Sequence, residues 1–411
     1  MTVALAACCI ACSETKEIAE IATQSTTKVA KERVDIALTA LEWEVNEAAQ
    51  GFALRLMEAT MGGGDTANMC LSPLSAQIAL SMACNGAEGV TKNEMLETLG
   101  YEGKTQETMN SYNKQMIASL EDVDNTTTVT IANSIWGDET FDFKAEYVQS
   151  NAESYDAVTA SVDFGSETSV EEINEWCSYK TKGCIKKILD EAPGGMRMLL
   201  LNALYFKGMW EEPFDKSNTA RETFRNADGS ETEVEMMHQD GTRYAYYANG
   251  RYAAAELPYG NEAYSMVIVL PGEGVGTSEC VRELAEGGWQ GIADSSTYCE
   301  LDLKLPKFEM NYRRSMLKDL EGMGMHQAFT TEADFGGISD ERLHIGMVNQ
   351  CTYIAVDEEG TEAAAVTAIG IVTTSMPTKE KTQFHADRPF IYMIKERSTG
   401  AILFFGKIER L

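Results

Sequence analysis

From Ala363 to Thr378 the chain runs for sixteen residues without a charged side chain, although the whole sequence carries 64 acidic and 34 basic groups. The run is built from Ala, Val, Ile and Thr, residues that suit a pleated strand. It holds no side chain large enough to anchor a core, and no aromatic residue lies between Tyr353 and Phe384. It is too short and too rich in threonine to cross a bilayer, which takes about 20 apolar residues. A permanently exposed loop of this composition would invite β-aggregation and calls for a functional reason. An ordinary linker would carry more Ser, Lys, Glu and Gly. Read with period two, Thr361, Ala363, Ala365, Thr367, Ile369 and Ile371 share one small, uncharged face. Glu362, Ala364, Val366, Ala368 and Gly370 share the other, which puts its one charge toward solvent. Gly360, just upstream, allows a wide range of backbone angles. The pattern describes a loop that can also become a strand inside a sheet.

The rest of the sequence places this segment in an α+β chain. Its 411 residues would allow two or three domains, but no linker or internal repeat divides them. Residues 1–44 read as an N-terminal extension and 45–411 as one domain. A helical pattern emerges through Val34, Ile36, Leu38 and Leu41 and continues through Phe52, Leu54 and Met57. Ser72 caps a second helix that has Pro73 at its first position. Strands are expected at Thr128–Trp136, Met198–Phe206, Tyr252–Leu257, Ser265–Leu270, Leu301–Leu305, Phe390–Lys395 and Ala401–Phe405. Helices are expected at Val170–Leu189 and Tyr312–Gly322. The net charge of −30 excludes a nucleic-acid partner, since phosphate neutralisation needs clustered Lys and Arg. It also disfavours an anionic membrane surface.

Ten cysteines divide into three at the start (Cys8, Cys9, Cys12) and seven scattered ones, which is no disulfide framework. Leu5-Ala6-Ala7-Cys8 resembles a bacterial lipobox, and Cys12 before Ser13-Glu14 is a second candidate for lipidation. On that reading the protein is an extracellular or cell-surface lipoprotein, touching a membrane only through its anchor. The segment is short and lacks a positive n-region, so a cytoplasmic chain stays open as well. Four histidines are too few for most metal or acid–base schemes, and no metal site or cofactor is expected. Gly272-Glu273-Gly274-Val275-Gly276 has the wrong spacing for a dinucleotide loop and reads as a turn. Ser72 lacks a G-x-S-x-G setting and a base. Cys177 and Cys184 read as thiols on a helix face, Glu358-Glu359 as solvated charge, and Trp210, Met236, Met237, Met323 and Met325 as core.

Several segments together resemble the serpin family, in its inhibitory, bacterial-type form. Glu358-Glu359-Gly360-Thr361-Glu362-Ala363-Ala364-Ala365 resembles the hinge of an inhibitory reactive-centre loop. Asn202-Ala203-Leu204-Tyr205-Phe206-Lys207-Gly208-Met209-Trp210 resembles the central strand and the breach at its end, and Leu71-Ser72-Pro73-Leu74-Ser75 the start of the second helix. Leu257-Pro258-Tyr259, Leu305-Pro306-Lys307-Phe308 and Ala386-Asp387-Arg388-Pro389-Phe390 match further blocks, in order, from about residue 45 to the end.

The resemblance implies a single domain of three β-sheets and about nine helices with an exposed loop. It implies no catalytic group, and a suicide mechanism in which a serine protease, or a cysteine protease, attacks the loop. The cleaved loop then inserts into the main sheet and traps the acyl-enzyme. Counting fourteen positions from Gly360 implies a scissile bond between Thr374 and Ser375, with Thr373, Ser375 and Met376 as alternatives to Thr374. An elastase-like or subtilisin-like target fits Thr, a chymotrypsin-like one would fit Met376, and the absence of Lys or Arg speaks against a trypsin-like one. Gln350 stands where many relatives carry a histidine; its donor and acceptor could keep a hydrogen-bonded shutter with Ser72, Ser75 and Asn202. The chain is expected to act as a monomer. The alternative is a non-inhibitory binding protein on the same fold, against which the small residues Ala363–Ala365 speak.

Overall fold

The computed structural model of the chain describes residues 30–64, 67–192, 195–361 and 381–411. Its helices are α1 (Ala40–Met61), α2 (Pro73–Cys84), α3 (Gly89–Leu99), α4 (Gln106–Asp122), α5 (Ala145–Tyr155), α6 (Glu167–Lys180), α7 (Thr277–Glu283), α8 (Trp289–Ser295) and α9 (Leu317–Gly322). The first strands are β1 (Met69–Leu71), β2 (Thr128–Asp138), β3 (Val158–Val162), β4 (Met198–Met209), β5 (Ala220–Arg225), β6 (Glu231–Ala248), β7 (Tyr252–Tyr259) and β8 (Tyr264–Pro271). The later ones are β9 (Thr297–Pro306), β10 (Phe308–Ser315), β11 (Asn349–Val356), β12 (Gly360–Thr361), β13 (Thr382–His385), β14 (Phe390–Glu396) and β15 (Ile402–Ile408). The α+β class and the three-sheet plan hold, and two of the sheets share the long strand β6.

One sheet has six strands in the order β10-β11-β12-β4-β2-β3. The other path runs β1-β15-β14-β8-β7-β6-β9-β13, with β5 paired to β6. A register shift between Asp240 and Thr242 bends β6 where it passes from β9 toward β7. Helix α2 packs on both β4 and β15, so it lies between the two sheets, and nearly all of its side chains are buried. That explains why its sequence, Pro-Leu-Ser-Ala-Gln-Ile-Ala-Leu-Ser-Met-Ala-Cys, has no polar face. A second, smaller core of Trp136, Phe164, Ile173, Leu199 and Leu201 sits under α6.

Local chemistry sets several element ends. Thr39 and Glu42 form a reciprocal capping box, so α1 begins at Ala40. This start lies inside the stretch assigned to the N-terminal extension. The helical pattern through Val34 and Ile36 does not form helix; Ile36 is buried instead, and its N–H donates to Ser398 Oγ at 3.0 Å. Ser72 accepts from Ser75 N, and Pro73 opens α2 as expected.

The helix expected to reach Leu189 stops at Lys180, because Lys182 and Gly183 both take positive φ, 51° and 86°. Cys184 therefore lies beyond the helix that carries Cys177. The segment expected as helix from Tyr312 is strand β10 up to Ser315, in full register with β11. Here sheet pairing overrides a weak helical period, and only the short α9 comes after it.

Gly406 sits where a Cβ would come within 2.3 Å of the Tyr392 ring and 2.4 Å of Met69 O. Gly406→Ala should overpack the junction of β1, β14 and β15 and cost about 1–3 kcal/mol, read as a lower thermal midpoint by circular dichroism. An unchanged midpoint would show that these strands can separate freely.

Candidate functional site

Strand β11 ends in a tight reversal held by one carboxylate. Asp357 Oδ1 accepts from Glu359 N at 2.8 Å and from Gly360 N at 3.2 Å. Asp357 N donates to Gly360 O at 2.9 Å. The chain thus turns back as β12, antiparallel to both neighbours, with Thr361 opposite Val356 on one side and Gly208 on the other. Gly360 fits because it has no side chain: a Cβ there would lie 2.0 Å from Gly208 O and 2.8 Å from Met209 Cα. Thr361 is buried, and its hydroxyl lies 2.6 Å from the Tyr259 hydroxyl. Trp210 closes the end of β4. Its ring stacks on Tyr259 with centroids 4.5 Å apart, its Nε1 donates to Asp357 O at 3.0 Å, and its N–H donates to Glu359 O at 2.9 Å.

Glu358 and Glu359 are buried and paired, which corrects their reading as solvated charge. Glu358 accepts from Thr219 Oγ1 at 2.9 Å and lies 3.2 Å from Lys307 Nζ, and its carbonyl accepts from Phe214 N. Burial pushes its carboxyl up, but its own backbone N–H, Thr219 and Lys307 outweigh burial and hold it below the usual carboxylate range. Glu359 takes Lys216 Nζ at 2.6 Å. Two carboxylates therefore tie the start of the hinge, Glu359 to Lys216 beyond β4 and Glu358 to Lys307 just before β10, while the residues after Thr361 carry almost no charge.

Strands β4 and β11 make no ladder with each other among the described residues; β12 alone connects them. Two neighbours of one strand stand about 9.5 Å apart. Farther from the hinge the two strands flank a cavity of about 660 Å³. Leu201 and Asn202 of β4, Gln350 and Cys351 of β11, and Ser75 and Ala79 of α2 are among its lining. Gln350 clasps the start of α2 through its amide, accepting from Ser72 N at 2.7 Å and donating to Ser72 O at 2.8 Å.

Asn202 does not join that clasp. It donates to Asn133 Oδ1 at 2.7 Å, and its own carbonyl oxygen is buried with no partner among the described residues. Ser75 meets Ser72 only through the helix cap, Ser75 N to Ser72 Oγ at 3.1 Å. The expected four-residue shutter is thus a Gln350–Ser72 clasp plus an Asn202–Asn133 pair.

Sequence reasoning missed several anchors: Asp357, Thr219, Lys216, Lys307 and Tyr259. Lys307 and Tyr259 lie in family-like blocks that give them no role by themselves, and Asp357 could have been found as an Asp three residues before Gly360, a turn signal. Residues Glu362 to Ala365, Thr374, Ser375, Cys8 and Cys12 lie outside the described residues. Rival chemistry finds little support. Burial pushes Cys70 and Cys84 up to about 11 and Cys177 and Cys280 to about 12, so these are unreactive thiols. Gly272–Gly276 comes after β8, which pairs antiparallel with both β7 and β14, not in a βαβ unit. Trp210, Met236, Met237 and Met325 are core as expected, and Met323 packs against it.

A family model described as serpin (serine protease inhibitor) matches residues 47–411. The chain belongs to the serpin family. It is 32% identical over 383 residues to the human leukocyte elastase inhibitor, covering 89% of this chain and 99% of that one. Its structure is similar to that of a thermophilic serpin, tengpin, in the native state, with a TM-score of 0.83, 30% identity and 93% and 98% of the two chains covered. It is similar as well to thyroxine-binding globulin in complex with thyroxine, with a TM-score of 0.80, 26% identity and 89% and 98% covered. In this serpin the segment with the strongest loop-or-strand pattern begins where β12 ends, at the head of the position between β4 and β11.

Two variants test the site. Gln350→Ala leaves Ser72 N without its partner in a buried place, while Ser72 O keeps Ala76 N, and should cost about 1–3 kcal/mol, lowering the thermal midpoint; an unchanged midpoint would mean the clasp is idle. Because the Glu358 carboxyl is depressed in the folded chain, its contribution is present above the ordinary carboxylate pKa of about 4.3 and lost as pH falls through the folded value. Glu358→Gln should therefore lower stability at neutral pH and flatten the loss on acidification, followed by denaturant unfolding from pH 7 to pH 3.

Proposed function

We propose that this serpin inhibits serine proteases as a suicide substrate, its cleaved loop entering the sheet between β4 and β11. The observation that carries this reading is Thr361, already placed in that strand position with its side chain down on Tyr259. Continued with period two, the strand would point Ala363, Ala365 and Thr367 to the same buried face. Those side chains are small enough for the space over α2, where the core packs densely. Deeper in the sheet, the unpartnered carbonyl of Asn202 and the lining of the cavity would receive an added strand. New ladder bonds along β4 and β11 would offset the cost of ordering the loop. The protease supplies the chemistry; this chain supplies a bait carbonyl and a vacant pairing register.

The bond offered is Thr374–Ser375, with an elastase-like or subtilisin-like enzyme as target. The small Thr side chain and the likeness to leukocyte elastase inhibitor both support that choice. The second reading is a binding protein of the kind represented by thyroxine-binding globulin, in which the loop would be cut without consequence.

Incubation with an elastase-like protease should give a complex stable to denaturing electrophoresis and a released peptide beginning at Ser375. Clean cleavage without a complex would favour the binding-protein reading. Thr361→Arg puts a long charged side chain at a buried position and should turn inhibitor into substrate, lowering the yield of complex at least tenfold. Retention of full complex yield in that variant would sink the insertion mechanism.

A further inference from the structure

Four lysines crowd into eight residues, Lys180, Lys182, Lys186 and Lys187, in a chain of net charge −30. No other eight-residue stretch holds as many basic groups. The acids of α6, Glu167, Glu171, Glu172 and Glu175, all come before Trp176, so the charge changes sign along the helix. The helix dipole accounts for Lys180 in the last turn. It does not account for the other three, because they lie past the end of α6 and the effect fades within the last turn.

The turn that carries them is held from below. Thr181 Oγ1 donates to Cys177 O at 2.8 Å and accepts from Ile185 N at 3.1 Å. Asn174 Oδ1 accepts from Ile188 N at 2.7 Å and from Leu189 N at 3.0 Å. Ile185, Ile188 and Leu189 are buried, while Lys182, Lys186 and Lys187 are exposed. The turn runs across the outer face of the sheet. Lys182 Nζ sits 5.1 Å from the centre of the Tyr205 ring on β4, and Lys187 O lies 3.9 Å from Cys351 Sγ on β11.

Little on the protein neutralises this strip. Lys187 Nζ pairs at 3.2 Å with Asp190, an acid that Arg313 shares. Lys180, Lys182 and Lys186 form no ion pair among the described residues. The backbone N–H groups of Lys186 and Lys187 have no acceptor among the described residues either. Tyr179, at one end, is 81% exposed and offers an apolar ring. The strip thus presents ammonium groups, two amide donors and one ring from a fixed base, which lowers the cost of ordering a complex.

Its length decides what fits. Exposed Glu172 and Glu175 stand before it, and exposed Asp190 and Glu191 after it. A polymer charged at every unit, such as a nucleic acid or a sulfated polysaccharide, would carry its charges onto those acids. A ligand whose charge is confined to a few neighbouring carboxylates would not.

We propose that residues 179–187 dock a short acidic peptide segment of a partner protein, its carboxylates on the lysines and an apolar side chain on Tyr179. Charge-assisted N–H···O⁻ bonds supply the attraction, and at an exposed site salt screens them. The strip stands apart from the inhibitory reading and does not depend on it.

The test is fluorescence anisotropy of a labelled peptide, four successive glutamates followed by a phenylalanine, titrated with the full chain. Half-saturation should fall near roughly 100 μM in 50 mM salt and weaken at least about fivefold in 200 mM salt. Absence of binding up to about 2 mM in 50 mM salt would overturn the proposal. The double variant Lys182→Gln and Lys186→Gln should weaken binding at least about fivefold with its circular dichroism unchanged; full affinity in that variant would overturn the proposal as well. The charge-matched double variant Lys114→Gln and Lys318→Gln, on α4 and α9, should bind as the unaltered chain does. An equal loss there would reduce the effect to net charge and sink the strip. Tyr179→Ser should weaken the phenylalanine peptide about threefold and leave its glycine counterpart unchanged. Dextran sulfate and a single-stranded oligonucleotide serve as competitors. Displacement by either at a lower charge concentration than unlabelled peptide would assign the strip to a uniformly charged polymer and overturn the peptide reading.

Discussion

Gly360 lies against Gly208 at a distance that no side chain would allow, and the working part of the sheet is arranged around that contact. It lets the chain leaving β11 reverse within a few residues and come back alongside β4. Once there, Thr361 bonds to Tyr259 below, and Trp210 covers the turn by stacking on Tyr259 and donating to Asp357. The result is one strand position between β4 and β11 whose first residues are filled by the hinge itself.

Charge separates the hinge from the segment after it. Glu358 and Glu359 are desolvated carboxylates, costly to bury alone, and each is matched by a lysine. They fix the start of the segment in place. Past Glu362 the sequence carries no charge until Lys379, so nothing of this kind opposes its entry into a sheet. At the other end the chain is fixed again, where β13 joins β9.

Much of this was legible in the residues. Capping and proline signals placed α2, β-prone runs placed β2, β4 and the closing strands, and family blocks placed the hinge. What could not be read was which partner each group would find. Glu358-Glu359 has the look of solvated charge because the lysines that bury the pair, Lys307 and Lys216, lie far away in the chain. Tyr312 to Ser315 has a helical period because β11, which claims these residues as a strand, comes more than thirty residues later. The family pattern puts Gln350 in a network with Asn202, yet its amide bonds instead to the backbone of Ser72, whose N–H and C=O stand ready at the start of α2.

By itself, the sequence determined the period-two face from Thr361 onward, the glycine before it and the lack of charge beyond it, since these depend only on residue type and spacing. It determined the α+β class and the family for the same reason. Tertiary structure alone decided that β4 and β11 stand a strand apart, that Thr361 already points into that position, and that the turn after α6 runs from β4 to β11. Those facts depend on which distant strands become neighbours. Neighbourhood is settled by packing of the whole core, because no local pattern specifies the strand on the other side.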